Sequence, residues 1–220
     1  MVRRVLAITW KDLLVEVRSR QFLGAMLAFT LVTIVTLNFA FDLDRGDRTS
    51  DAAGALWIAF FFAGMLGLGR SIALERDRGT FEGLLLTPID GGTLFLGKFL
   101  ATLLSILMVQ IITLPVFSIL YDLPALHPWV IAITLVGTIG FAGLGTLFSA
   151  VAANGRAREV LLPLLLFPLL VPVLIAAVQA TALVFQGERD DLLAWFNLLV
   201  AFDVIFVTLA YLGFSFVIEE

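Results

Sequence analysis

Six apolar runs decide what this chain can fold into. They lie approximately at residues 22–41, 52–69, 93–121, 129–153, 160–185 and 192–218. A helix needs roughly 20 mostly apolar residues to cross the hydrocarbon core of a bilayer, and each run comes close to or exceeds that length. In lipid every backbone amide and carbonyl must find a partner inside the structure, so only helices and closed barrels span. Barrel strands alternate apolar and polar residues over about ten positions, and none of the runs alternates. The sequence therefore predicts an all-α integral membrane protein with six transmembrane helices. The third, fifth and sixth runs are longer than one crossing requires, which leaves them room to tilt, project or break. Composition agrees, with 60% of the 220 residues hydrophobic and 15% charged, where soluble domains carry about a quarter.

Composition also excludes several kinds of chemistry. The chain has no Cys, so disulfides, thiolate metal sites and Cys nucleophiles are out. It has one His, His127, too few for a His-rich metal centre. A net charge of −4 without a basic tail gives no sign of a nucleic-acid partner. The N-terminus does not read as a cleaved signal, because Lys11, Asp12, Glu16, Arg18 and Arg20 delay the first apolar run. No polar connection approaches the roughly 50 residues of a soluble domain, and no repeat of fixed period is visible. The expectation is a single membrane domain over residues 1–220.

Basic residues set the expected orientation. Arg3, Arg4, Lys11, Arg18, Arg20, Arg70, Arg76, Arg78, Lys98, Arg156 and Arg158 fall on one side. Arg45, Arg48 and Arg189 fall on the other, which accounts for all 14 Lys and Arg. Both termini are expected on the cytoplasmic side of the membrane. Residues 2–20 read as an amphipathic helix in the interface plane. At 100° per residue Leu6, Trp10, Leu13 and Val17 share a stripe, and Arg4, Lys11 and Arg18 lie nearly opposite. A cytoplasmic extension of the first span is the plainer alternative.

The connection between the second and third runs, LERDRGTFEGLLLTP at residues 74–88, mixes five charges with a leucine cluster. Gly79 breaks the preceding helix, Thr80 can cap a new one with Glu82 in its first turn, and Thr87-Pro88 stops it. The expected product is a helix of about two turns with Phe81, Leu84, Leu85 and Leu86 as an apolar surface. Asp90-Gly91-Gly92 reads as a turn, and Thr93 as the cap of the third span. An ordinary loop obeying the positive-inside rule needs neither Glu75, Asp77 and Glu82 nor the leucines. A short helix tied to two spans can pass on the motion of a soluble motor.

This stretch, with Gly97-Lys98 after it, resembles the first cytoplasmic connection of type-2 ABC-transporter permeases. More narrowly it resembles the heme exporter protein B (CcmB) family of the cytochrome c maturation system. The proline-studded LLPLLLFPLLVPVLIAA at residues 161–177 is similar to that family's fifth span, and residues 55–79 to its second. Gly83 departs from the pattern, where a larger residue is expected, and weakens the short helix. The resemblance implies a permease subunit that is not an enzyme, with ATP used by a separate CcmA-like ATPase. That ATPase would dock on Glu75, Arg76, Arg78, Gly79, Phe81, Glu82, Leu84, Leu85 and Pro88. CcmC-like and CcmD-like membrane proteins and a CcmE-like heme chaperone are the implied further partners. Heme is implied as a transported or handled ligand, with ATP use coupled either to its export or to release of the heme-loaded chaperone, and no cofactor is expected on this chain itself.

Other features are read from their chemistry. GMLGLG at residues 64–69 lacks the Lys-Ser/Thr of a phosphate loop. It and GTIGFAGLG at residues 137–145 read as close-packing surfaces between helices. Pro163, Pro168 and Pro172 predict a kinked or interrupted fifth span, either a gate or a static bend. Asp203 is an acid deep in an apolar run, and reads as an intramembrane polar site or as a residue nearer the outer face. His127 beside Trp129 reads as an interfacial His, with heme-iron ligation the sharper alternative. Two other readings stay open: a type-2 permease exporting a drug, lipid or glycan, and a non-transporting scaffold for heme-handling partners.

Overall fold

The computed structural model describes residues 1–19, 21–41, 48–68, 90–153 and 158–219. Among these it has seven helices and no strand: α1 (Val2–Ser19), α2 (Gln21–Ala40), α3 (Arg48–Gly67), α4 (Gly91–Tyr121), α5 (Pro128–Ala153), α6 (Arg158–Gln186) and α7 (Leu192–Glu219). The last six are long and apolar enough to cross a bilayer. The chain is an all-α, six-span membrane protein. Its short cytoplasmic helix, expected between the second and third spans, and every residue from Glu75 to Pro88 named for ATPase docking lie outside the described residues.

α5 sits at the centre, packed against α4, α6 and α7, while α3 packs on α2 and α6 and α1 lies along α4. Glycines make the centre possible. A Cβ on Gly137 would lie 2.7 Å from the Trp57 ring, and one on Gly64 would lie 2.6 Å from Phe141. A Cβ on Gly143 would lie 2.8 Å from Val207. Both glycine-rich runs thus serve as seats for neighbouring side chains. A second, smaller core joins Ile8 of α1, Leu94, Phe95 and Phe99 of α4, and Phe214 of α7.

Two boundaries differ from the sequence reading. α3 begins at Arg48 rather than at the first apolar residues. α4 begins at Gly91, capped by Asp90 and not by Thr93. The Asp90 carboxylate accepts from the Thr93 amide at 3.0 Å and from its hydroxyl at 2.6 Å. Gly91 and Gly92 then form the first turn, and they are glycines because α7 leaves no room for a side chain. A Cβ on Gly91 would lie 2.9 Å from the Ser215 backbone, and one on Gly92 would lie 2.6 Å from the Tyr211 hydroxyl.

The hydrogen bond from the Thr93 hydroxyl, then that from its amide, holds the Asp90 carboxyl below the usual carboxylate range. A lowered value in the folded state means that the cap contributes at neutral pH. Its contribution is lost as pH falls through the carboxylate range. Hydrogen exchange should therefore show the first turn of α4 losing protection only as pH is taken from neutral through the usual carboxylate range and below it, after correction for intrinsic rates. Asp90→Asn keeps an accepting oxygen and removes the titration. Its protection should change little over the same range.

α6 runs unbroken from Arg158 to Gln186 with Pro163, Pro168 and Pro172 inside it. The fifth span is one helix and not an interrupted pair. α4 also holds Pro115, which the sequence reading passed over.

Candidate functional site

The end of the bundle that carries α1 is built around a buried ion pair. Lys98 Nζ lies 3.0 Å from Asp12 Oδ2, with the two side chains 2% and 7% exposed. Lys11, far more exposed, lies 3.0 Å from the other Asp12 oxygen. Gly97 lets α1 come close enough for this contact, since a Cβ there would fall 2.7 Å from Cβ of Ile8. The Thr9 hydroxyl reaches the Gly97 carbonyl at 3.2 Å. One helical turn beyond Asp12, Glu16 accepts from the Leu23 amide at 3.1 Å. That amide is one of the donors left over at the start of α2. A polar pocket of about 40 Å³ opens beside these acids, lined also by Gly67, Thr102 and Ser105.

α1 therefore has a face that the sequence reading missed. Val5, Ile8 and Thr9 are buried, while Leu6, Trp10 and Val17 of the expected stripe are exposed. At 100° per residue the two faces lie roughly 115° apart around the helix. One grips α4, and the other is exposed.

In the middle of the bundle, α3, α4, α5 and α6 enclose a cavity of about 20 Å³ walled by Trp57, Phe61, Phe141 and Leu170, with Gln110 and Thr138 as its polar groups. The Gln110 amide nitrogen donates to the Thr138 hydroxyl at 2.8 Å. The indole of Trp57 donates to Thr181 at 2.9 Å. A lone Gln in an apolar run was the available signal for the first of these pairs, and the reading did not use it. A volume of this size holds about one water molecule.

Asp203 lies about 17 Å along α7 from Leu192 at 1.5 Å per residue. It is 8% exposed, and its Oδ1 has no hydrogen-bond partner. Gly140 of α5 provides the space, because any Cβ there would collide with that oxygen. The acid is inside the bundle, not at the outer face. His127 sits at the other end, where the Trp129 amide donates to its Nδ1 at 3.2 Å. The ring caps α5, with Pro128 as first helical residue. With Nδ1 accepting, the neutral imidazole carries its proton on Nε2 and offers an N–H there instead of a lone pair. Among the described residues no group of three or more His, Asp or Glu is placed to hold a metal ion.

The same end is tied at Tyr121, which is fully buried. Its hydroxyl donates to the Ile34 carbonyl of α2 at 2.9 Å. Arg48 of α3 donates to the Tyr121 carbonyl at 2.6 Å. Phe117 stacks on its ring with centroids 4.2 Å apart. The structure thus brings together Lys98, Asp12 and Gly97, and separately Gln110 and Thr138. It leaves Asp203, His127 and the α6 prolines apart from both groups.

These features define a six-span membrane protein with an N-terminal amphipathic helix gripped by its third span and no soluble domain among the described residues. The chain belongs to the CcmB protein family, which matches residues 3–219. It is 31% identical to Heme exporter protein B of Paracoccus denitrificans (strain Pd 1222) over 175 residues, which is 79% of this chain and 80% of that protein. It is also 31% identical to Heme exporter protein B of Rhodobacter capsulatus over 170 residues, covering 77% of this chain and 78% of the relative.

Proposed function

We propose that this chain is the permease subunit of an ABC transporter for heme export in cytochrome c maturation. The observation that carries the reading is the family match along residues 3–219, joined to the six-span fold. The chain itself is not an enzyme in this reading, and ATP is hydrolysed by a CcmA-like partner. CcmC-like and CcmD-like membrane proteins and a CcmE-like heme chaperone complete the system. Both termini face the cytoplasm, as the distribution of Lys and Arg argues.

The ATPase docks on the charged and apolar stretch at residues 74–88. Glu75, Arg76, Arg78 and Glu82 supply complementary charge, and Phe81, Leu84 and Leu85 supply apolar contact. The central cavity supports a limit on the path of the cargo. At about 20 Å³ it is far short of a porphyrin, since ligand pockets run to several hundred Å³. Among the described residues this cavity offers heme no passage in this conformation. Heme moves along the outside of the bundle or at its border with another subunit, or is released from the chaperone by the complex.

The test is capture from gently solubilised membrane. The wild-type chain should bring down an ABC ATPase together with heme-handling proteins. Glu75→Arg with Glu82→Arg should lower ATPase capture by at least about tenfold while the chain remains folded and in the membrane. Unchanged capture by that variant would remove these residues from the docking surface. An ATPase without heme-handling proteins would keep the permease and replace the cargo.

A further inference from the structure

We infer that Asp12 and Lys98 are positioning residues that make α1 part of the moving unit, so that α1 and the first turns of α4 travel as one rigid body when ATP is used. The inference rests on the proposed coupling role of residues 74–88 and adds α1 to it.

Three observations carry it. The first is the quality of the grip. An ion pair at 3.0 Å with side chains 2% and 7% exposed is not a surface decoration. Buried pairs hold geometry tightly because separating the charges in a low dielectric is costly. The second is that the grip is built at three levels on one short stretch. Ile8 seats on Gly97 where a side chain on α4 would block it, Thr9 reaches the Gly97 carbonyl, and Asp12 meets Lys98. Asp12 lies one helical turn from Ile8 and Thr9 on α1, and Gly97 and Lys98 are adjacent on α4, so the contacts resist both sliding and rolling.

The third is connectivity. α4 starts at Gly91, just past the docking stretch, and its eighth residue is Lys98. Glu16 then ties α1 to the first amides of α2. A push delivered before α4 reaches the start of α2 through α1, across the end of the bundle. An amphipathic helix that only rested on lipid would need none of these contacts, because its exposed Leu6, Trp10 and Val17 would suffice.

The absence of Cys gives a clean test. In the reconstituted complex with its ATPase, Ile8→Cys and Gly97→Cys place two thiols where a Cβ on Gly97 falls 2.7 Å from that of Ile8. A disulfide needs about 3.5–4.5 Å between Cβ atoms, so a small separation of the helices allows the bridge. If the two helices move together, the oxidised and reduced forms should turn over ATP, and release heme-loaded chaperone, within about twofold of each other. A tenfold fall on oxidation that reduction reverses would mean that α1 must leave α4, and would overturn the inference.

The ion pair is tested by charge exchange. Asp12→Lys alone and Lys98→Asp alone should each lower permease-stimulated ATP turnover by about tenfold with ATPase capture retained, and the exchanged double variant should recover most of it. Full stimulation in both single variants would overturn the positioning role, since a merely structural pair would change the folded yield and not the coupling ratio. Wild-type chain that captures no ATPase would overturn the coupling reading, and this inference with it. Capture that survives while oxidation silences turnover would overturn this inference alone.

Discussion

Asp12→Ala is expected to be among the most destabilising single substitutions in this protein. Removing one partner of a buried ion pair typically costs about 3–5 kcal/mol. The substitution takes away the acid beside an ammonium group that is only 2% exposed. The measurement is thermal unfolding of the purified chain in detergent. Replacing both partners with apolar residues of similar size, Asp12→Leu with Lys98→Met, should recover most of the loss, since a well-packed apolar pair is often as stable as a buried ionic one. If Asp12→Ala unfolds with the wild type, the ion pair is not carrying the contact between α1 and α4.

Gly137→Leu should be comparably damaging, for a steric reason. Even a Cβ there would lie 2.7 Å from the Trp57 ring, and that ring cannot swing aside without losing its bond to Thr181 at 2.9 Å. Thr181 is fully buried, so its hydroxyl would lose this partner in an apolar core. Overpacking a tight core costs about 1–3 kcal/mol and sometimes more, and the hydrogen bond adds about 1 kcal/mol. Gly54 is a control in the same bundle, because a Cβ there meets nothing within 4 Å. Gly54→Ala should unfold within a degree or two of the wild type, while Gly137→Leu should melt well below it. Equal melting would mean that α3 and α5 can shift apart at little cost.

The contrast between these two sites marks how much was legible in the sequence. Run length and hydropathy are local properties, and they place the six spans. Small residues in GTIGFAGLG are a local signal too: Gly137, Gly140 and Gly143 each prove to face a side chain from another helix, and Gly145 faces Leu68, just past the end of α3. What hydropathy cannot show is which helix lies beside which. Asp12 and Lys98 are 86 residues apart, and nothing in either neighbourhood points to the other. Asp12 reads as one more charge on an amphipathic helix until α1 is laid on α4.

Gln110 and Thr138 pose the same problem, since each alone is a tolerated polar residue in an apolar run. The start of α4 was misread for a different reason. Asp-Gly-Gly is turn chemistry in isolation, but Asp90 caps a helix that starts at Gly91, and the close approach of α7 at Ser215 and Tyr211 leaves room only for glycine there. For His127 the sequence offered imidazole chemistry, and the backbone amide of Trp129 decides which nitrogen has a lone pair already engaged. The docking stretch remains a reading of the sequence and the family, because residues 69–89 lie outside those described.

The knot at Tyr121 makes α4 an asymmetric lever. Its 31 residues extend about 46 Å at 1.5 Å per residue. One end is pinned to α2 and α3 through a hydroxyl, a carbonyl and a guanidinium. The other end carries α1 on its flank and meets α7 through glycines. With the pivot so far from the point of effort, a tilt of about 5° around Tyr121 sweeps Gly91 through roughly 4 Å. In the proposed coupling, displacement of α4 would therefore be largest beside residues 74–88 and smallest at Tyr121.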